Sequence, residues 1–264
     1  MELSISGKKA IITGGSKGIG KAIARELAKE GVDLGLCARN KSDLIETADE
    51  ITSNYDVKVF TAVADTRDDS SISMFIDGAA SNLGGLDILI NNAAAPGGLV
   101  MGPLDQADPL ELIKDIDTKV VGYLRSTKKS VPYMKKGQWG RIINIGGLAA
   151  RTAGAISGMR NLALVHLTKT LSNELGQFGI TANIIHPGAT RTERTQPMQE
   201  NIAHTQGLSV EDIEKKATQF IDIQRMVEAE EIASLAVFLC SPRASAITGE
   251  SIAAGGGVGT AVFS

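Results

Sequence analysis

The sequence predicts an α/β protein, a Rossmann-type doubly wound parallel sheet in a single domain, and three observations carry that prediction. Short apolar runs alternate with segments of helical periodicity along the chain, as when buried strands are joined by crossover helices. The composition is 43% hydrophobic but only 4% aromatic, with 29 glycines among 264 residues; it describes an Ala/Val/Ile/Leu core with many tight turns. The first apolar run ends in a glycine turn, Thr13-Gly-Gly-Ser-Lys-Gly-Ile-Gly20, placed where such a sheet binds a dinucleotide.

The elements follow in order. Lys9–Thr13 closes on glycines and reads as a buried parallel strand. Ile19, Ile23 and Leu27 recur every four residues, the stripe of a helix that Gly31 ends. Further strands are expected at Val32–Ala38, Val57–Ala64, Leu86–Asn91, Gly140–Ile145, Ile180–His186 and Ser251–Ala254. Helices are expected at Leu44–Asn54, Ser70–Leu83, Gly158–Phe178 and Glu228–Cys240, with Pro109–Lys135 as one long helix or two joined. No Gly/Ser/Pro linker divides the chain and no repeat is visible, so residues 1–264 read as one dinucleotide-binding domain. Ala189–Met226 differs: it is polar, holds Pro197 and follows a Pro-Gly turn. It reads as a small helical substrate lid, 189–226, over the carboxyl ends of the strands.

Bulk properties exclude several function classes. A formal net charge of −3 gives no electrostatic case for nucleic acid or an anionic membrane. Cys37 and Cys240 lie in apolar runs and read as buried residues of a reducing compartment. Met1–Lys9 lacks a long apolar stretch and no run reaches transmembrane length, so a cytoplasmic location is expected. No His/Cys grouping suggests a metal.

In the glycine turn, Gly14 permits the tight bend, while Gly18 and Gly20 let backbone approach a pyrophosphate. Ser16, Lys17 and Ile19 complete the candidate phosphate contacts at the helix N-terminus. The second strand ends in Arg39, with no acidic residue before Asp43. Arg39 and Lys17 suit a ribose 2′-phosphate and so NADP(H) over NAD(H); the plainer alternative is a pair of solvated surface cations.

Together the motifs resemble the short-chain dehydrogenase/reductase family over nearly the whole chain. Thr13–Gly20 matches its Thr-Gly-x-x-x-Gly-x-Gly, Asn91-Asn-Ala-Ala94 its Asn-Asn-Ala-Gly, Pro187-Gly-Ala-Thr-Arg-Thr192 its Pro-Gly-x-x-x-Thr, and Ile247-Thr-Gly249 its C-terminal Ile-Thr-Gly. The resemblance implies that Asp65 contacts adenine and that Asn91 serves the adenosine side and supports the strand. It also implies that Pro187, Gly188, Thr190 and Thr192 line the nicotinamide end, Thr192 at the carboxamide. A homodimer or homotetramer built on Pro109–Lys135 and Gly158–Phe178 is implied as well.

The family's chemistry uses an Asn-Ser-Tyr-Lys tetrad, with Tyr as general acid/base and Lys four residues on, on the same helix face. Leu164-Val-His-Leu-Thr-Lys-Thr-Leu171 fits that helix without gaps. Counting back places Ser157 at the Tyr position and Asn161 at the Lys position. Gly146-Gly147 stand where the strand usually ends Ser-Ser, and Lys119 stands at the Asn position. Tyr55, Tyr123 and Tyr133 are the only tyrosines and all lie upstream. A serine cannot replace a tyrosinate without a base beside it. The catalytic candidates are therefore Lys119 and a water held by Ser157; Lys119 also reads as a plain surface lysine. Arg160 reads as a contact for an anionic substrate or as a surface or interface arginine. His186 and His204 are weaker candidates, and His166 points about 180° away from Ser157. Two functions stay open. One is an NADP(H)-dependent oxidoreductase acting on an unidentified carbonyl or alcohol through a non-standard site. The other is a catalytically silent NADP(H)-binding scaffold or sensor.

Overall fold

The computed structural model describes residues 2–96 and 98–259. Its strands are β1 (Lys9–Thr13), β2 (Asp33–Ala38), β3 (Val59–Val63), β4 (Ile88–Asn91), β5 (Gly140–Ile145), β6 (Ile180–Pro187), β7 (Thr190–Arg191), β8 (Val227–Glu228) and β9 (Ser251–Ala254). Seven of them form one parallel sheet in the order β3-β2-β1-β4-β5-β6-β9, while β7 and β8 pair with each other. The chain runs outward from β1 to β3 and then crosses back to β4. The strand order therefore reverses between β1 and β4, and the carboxyl ends of these strands open a crevice there.

The helices are α1 (Gly18–Lys29), α2 (Lys41–Asn54), α3 (Asp69–Leu83), α4 (Pro109–Ile116), α5 (Gly122–Gly137), α6 (Met159–Leu175), α7 (Thr195–Gln206), α8 (Val210–Thr218) and α9 (Ala229–Leu239). Two of them start ahead of their apolar periodicity. The Asn40 side chain accepts from the Ser42 and Asp43 N–H groups, and Asp68 accepts from Ser70 and Ser71; such caps satisfy N–H groups that have no partner within the helix. The expected helical segment Pro109–Lys135 is two helices joined by a π turn, Asp117–Val121.

Both faces of the sheet are covered. On one, Ile23 and Leu27 of α1 and Ile232 and Val237 of α9 pack against Ile12, Leu36, Ile90 and Ile143. On the other, Phe75 and Ile76 of α3, Met134 of α5 and Leu175 of α6 pack against Ile11, Leu89 and Ile142. Burial on both faces explains why the strands read as continuous apolar runs. Among the described residues no helix is long and apolar enough to cross a membrane.

Candidate functional site

The turn after β1 is built from backbone. Thr13 Oγ1 accepts from the N–H groups of Asn92 and Ala93, at 3.1 and 3.2 Å. Asn92 Nδ2 in return donates to the Thr13 and Gly14 carbonyls, at 3.1 and 3.0 Å. This closes β1 onto β4 and leaves no room at Gly20, where a Cβ would lie 2.2 Å from the Gly14 oxygen. Ser16 is buried and its carbonyl accepts from Thr47 Oγ1. Ile19 is half-buried, whereas Lys17 and Arg39 are exposed. The Gly18 N–H, at the N-terminus of α1, donates to both carboxylate oxygens of Glu193 at 3.1 Å. Lys17 pairs with Asp43 at 2.8 Å. The groove therefore already holds an anion supplied by the chain itself, as expected of free N–H groups at a helix N-terminus. Ser16–Gly18 form one wall and Arg191–Glu193 the other, so the glycine turn meets the segment that follows Pro187-Gly188. Within that segment Thr190 Oγ1 donates to the Gly188 carbonyl.

Asp65 lies after β3, where Arg67 binds it through a 2.7 Å ion pair and holds its carboxyl below the usual range. Asn91 is fully buried. Its amide donates to Thr127 Oγ1 and Asn144 Oδ1 and its oxygen accepts from Ser126, so the side chain ties β4 to β5 and α5.

A second centre lies where β5 ends. The π turn directs Lys119 inward, leaving it 3% exposed. Its ammonium donates to the Gly146 carbonyl at 2.8 Å and to Asn161 Oδ1 at 2.9 Å. Burial is the main cause that pulls its pKa down to about 7; the Arg160 charge adds to this and Asp115 opposes it. The surface-lysine reading is thereby corrected.

Arg160 is also not at the surface. It pairs with Asp115, and both are buried. A second guanidinium nitrogen donates to the Ala95 carbonyl at 2.9 Å, and Asp115 Oδ2 accepts from the Leu99 N–H at 3.2 Å. Its charge is neutralised inside the fold, which corrects both the anionic-substrate and the surface or interface readings. Ser157 is fully buried, with its hydroxyl oxygen accepting from the Val100 N–H at 2.8 Å. Asp115, Ser157 and Arg160 thus fasten Ala95, Leu99 and Val100 to α4, to α6 and to the turn before it.

One member of this centre escaped the sequence reading and another was ranked low. Asp115 stands four residues before Lys119, a spacing that on a helix signals an acid beside a base. His186, a weaker candidate in the sequence, is wholly buried and bonded to Gly147 and Ser251. His166 and His204 are exposed. Among the described residues no group of three or more His, Cys, Asp or Glu side chains is placed to hold a metal.

Comparison with known proteins places this architecture. A family model described as enoyl-(acyl carrier protein) reductase matches residues 14–259. The chain is 33% identical to an NADPH-dependent reductase, BacG, of Bacillus subtilis, over 96% of this chain and 98% of that one. It is 30% identical to the 3-oxoacyl-[acyl-carrier-protein] reductase FabG of Aquifex aeolicus, over 98% and 100%. Among solved structures, L-sorbose reductase from Gluconobacter frateurii, complexed with NADPH and L-sorbose, superposes with a TM-score of 0.93 at 29% identity, covering 98% of each chain. Sheet order, glycine turn and whole-length similarity agree: the chain belongs to the short-chain dehydrogenase/reductase family and is an oxidoreductase of that type.

Proposed function

We propose that this protein is an NADPH-dependent reductase of a small carbonyl substrate and that Lys119 supplies the proton. The observation that carries the reading is the Lys119 ammonium, held in a dry site between the Gly146 carbonyl and Asn161. Set against the family tetrad, Lys119 stands at the Asn position and Asn161 at the Lys position. The two residue types have exchanged helices, and their side chains still meet at 2.9 Å. An acid serves best when its pKa lies near the working pH, and burial brings Lys119 to about 7.

The residues fit a nicotinamide dinucleotide. The turn at Gly14, Ser16, Gly18, Ile19 and Gly20 accommodates an anion, as Glu193 at the Gly18 N–H illustrates. Lys17 and Arg39 serve the 2′-phosphate, Asp65 the adenine, and Pro187, Gly188, Thr190 and Thr192 the nicotinamide end. Asn91 supports this site from the core. The bound cofactor supplies the hydride. Lys119 passes its proton to the substrate oxygen, while Ser157, Asp115 and Arg160 hold Val100, Leu99 and Ala95 in place. Residues 189–226, carrying α7 and α8, act as the lid that excludes water. Exposed Leu110 and Ile113 on α4 and Leu162 on α6 support a homodimer or homotetramer across those helices. Buried Cys37 and Cys240, each pushed up to about 12 by burial, suit a cytoplasmic protein.

The test is oxidation of NADPH with a panel of ketones, ketoses and β-ketoacyl thioesters. Turnover is expected with the wild type, together with a loss on the order of 10²–10⁴-fold in kcat for Lys119→Met and unchanged NADPH affinity. One observation favours a second reading, a catalytically silent NADP(H)-binding scaffold or sensor: the hydroxyl at the Tyr position, Ser157, is shut away from solvent. Tight NADPH binding without turnover across the panel establishes that reading instead.

A further inference from the structure

His186 lies one residue from the end of β6 and is wholly shielded from solvent. Its ring bridges two strands. Nδ1 lies 3.1 Å from the Gly147 nitrogen and 3.0 Å from the Gly147 oxygen, and Nε2 lies 3.0 Å from Ser251 Oγ on β9. A Cβ at Gly146 would fall 2.5 Å from Nδ1, so this imidazole and a side chain at 146 exclude each other. The same dipeptide faces Lys119 and Asn161 on its other side. The Gly146 carbonyl accepts from the ammonium at 2.8 Å, and a Cβ at Gly147 would lie 3.0 Å from Asn161 Nδ2. Two successive glycines are the least restrained backbone a chain can offer. Yet this pair carries the carbonyl that fixes the buried cation.

We propose that His186 is a positioning residue: it clamps Gly146–Gly147 from the sheet side so that the Gly146 carbonyl holds the Lys119 ammonium in place. The proposal rests on Lys119 as the proton donor. The ring does this work uncharged. Burial first, then the charges of Arg151 and Lys119, lower its pKa to about 4 despite its bond to Gly147. A neutral imidazole has one donor and one acceptor nitrogen, so Nδ1 engages either the Gly147 N–H or its carbonyl. The charged groups around the ring are Arg151, from the turn after β5, and Lys119, across the glycine pair. Those around Lys119 are Arg160 from α6 and Asp115 from α4.

The test uses the full chain loaded with NADPH and labelled with ¹⁵N-lysine. The Lys119 Nζ resonance is identified by its loss in Lys119→Met. His186→Ala is expected to move the midpoint of the Lys119 titration by about 0.5 pH unit or more and to lower kcat about tenfold, with KM for NADPH within about twofold. His186→Asn, whose amide oxygen can still accept from the Gly147 N–H, is expected to keep both near wild type. An unchanged titration and kcat in His186→Ala overturns the proposal. So does His186→Asn as impaired as His186→Ala, because the ring would then handle the proton itself. Wild-type turnover in Lys119→Met removes the proton-donor reading alone; the titration in His186→Ala still decides whether the clamp acts on Lys119.

Discussion

The turns that follow β1 and β5 both lie at the carboxyl ends of the strands, and they treat charge in opposite ways. After β1 the exposed Gly18 N–H meets an anion through backbone, and the ionic side chains there, Lys17 with Asp43 and Glu193 on Gly18, sit where water screens them. After β5 the charge is a side-chain cation out of contact with water, fixed by a carbonyl and an amide and flanked by a buried ion pair. Anion recognition by backbone needs only glycine and a helix start, and it tolerates solvent. A dry cation needs every neighbour in place, because a buried charge left unpaired is costly.

That contrast can be broken most severely at Asp115. Asp115→Ala leaves Arg160 buried without its partner and frees the Leu99 N–H. A loss of about 3–5 kcal/mol is expected, read as a fall in Tm and in the denaturant midpoint. The open half responds less. Arg39→Ala is expected to cost about 1.5–3 kcal/mol of NADPH affinity and leave NADH affinity unchanged in a fluorescence titration; equal losses for both would remove the 2′-phosphate assignment.

A third effect separates the two regions by pH. The unfolded chain keeps Lys119 protonated to about pH 10, whereas the folded protein sheds that proton near 7. Between those values the unfolded state binds more protons, so stability rises with pH, by at most about 1.4 kcal/mol per unit. The rise should be present in wild type and missing from Lys119→Met when Tm is followed across that window; parallel curves would place the charge of Lys119 in water. The smallest change belongs to the exposed turn. Glu193→Gln removes a carboxylate from the helix N-terminus, and NADPH is expected to bind about two- to fivefold tighter, since such surface contacts are worth about 0.3–1 kcal/mol.

Legibility in the sequence divides along the same line. The strands were readable because burial on both faces leaves an uninterrupted apolar run, as in Lys9–Thr13 and Gly140–Ile145, whose bounds agree with β1 and β5. The glycine turn was readable because its chemistry is local. The Arg160–Asp115 pair was not: its members lie 45 positions apart, and the two residue types alone give no reason to bring them together. The inward aim of Lys119 was hidden because a π turn is a matter of backbone hydrogen bonding, which side-chain spacing does not report. His186 ranked low because its partners are backbone atoms of Gly147 and a serine on the last strand.

The π turn also fixes how this chain can vary in length. Asp115, Lys119 and Tyr123 stand four residues apart, and all three are buried. In a regular α-helix each such step drifts by about 40° around the axis; the wider turn takes up part of that drift. Deleting one residue from 117–121 would turn the i→i+5 bonding of the π turn into the i→i+4 bonding of a regular helix, and α5 would keep its phase against α4. A further inserted residue would instead rotate α5 by about 100°, so that Tyr123 would lose the Ile145 carbonyl and Ser126 would lose Asn91. The segment already carries one residue more than a regular helix, so a one-residue gain there disturbs far more than an indel in the 189–226 segment, where the turn at Gly207 between α7 and α8 can take up the change.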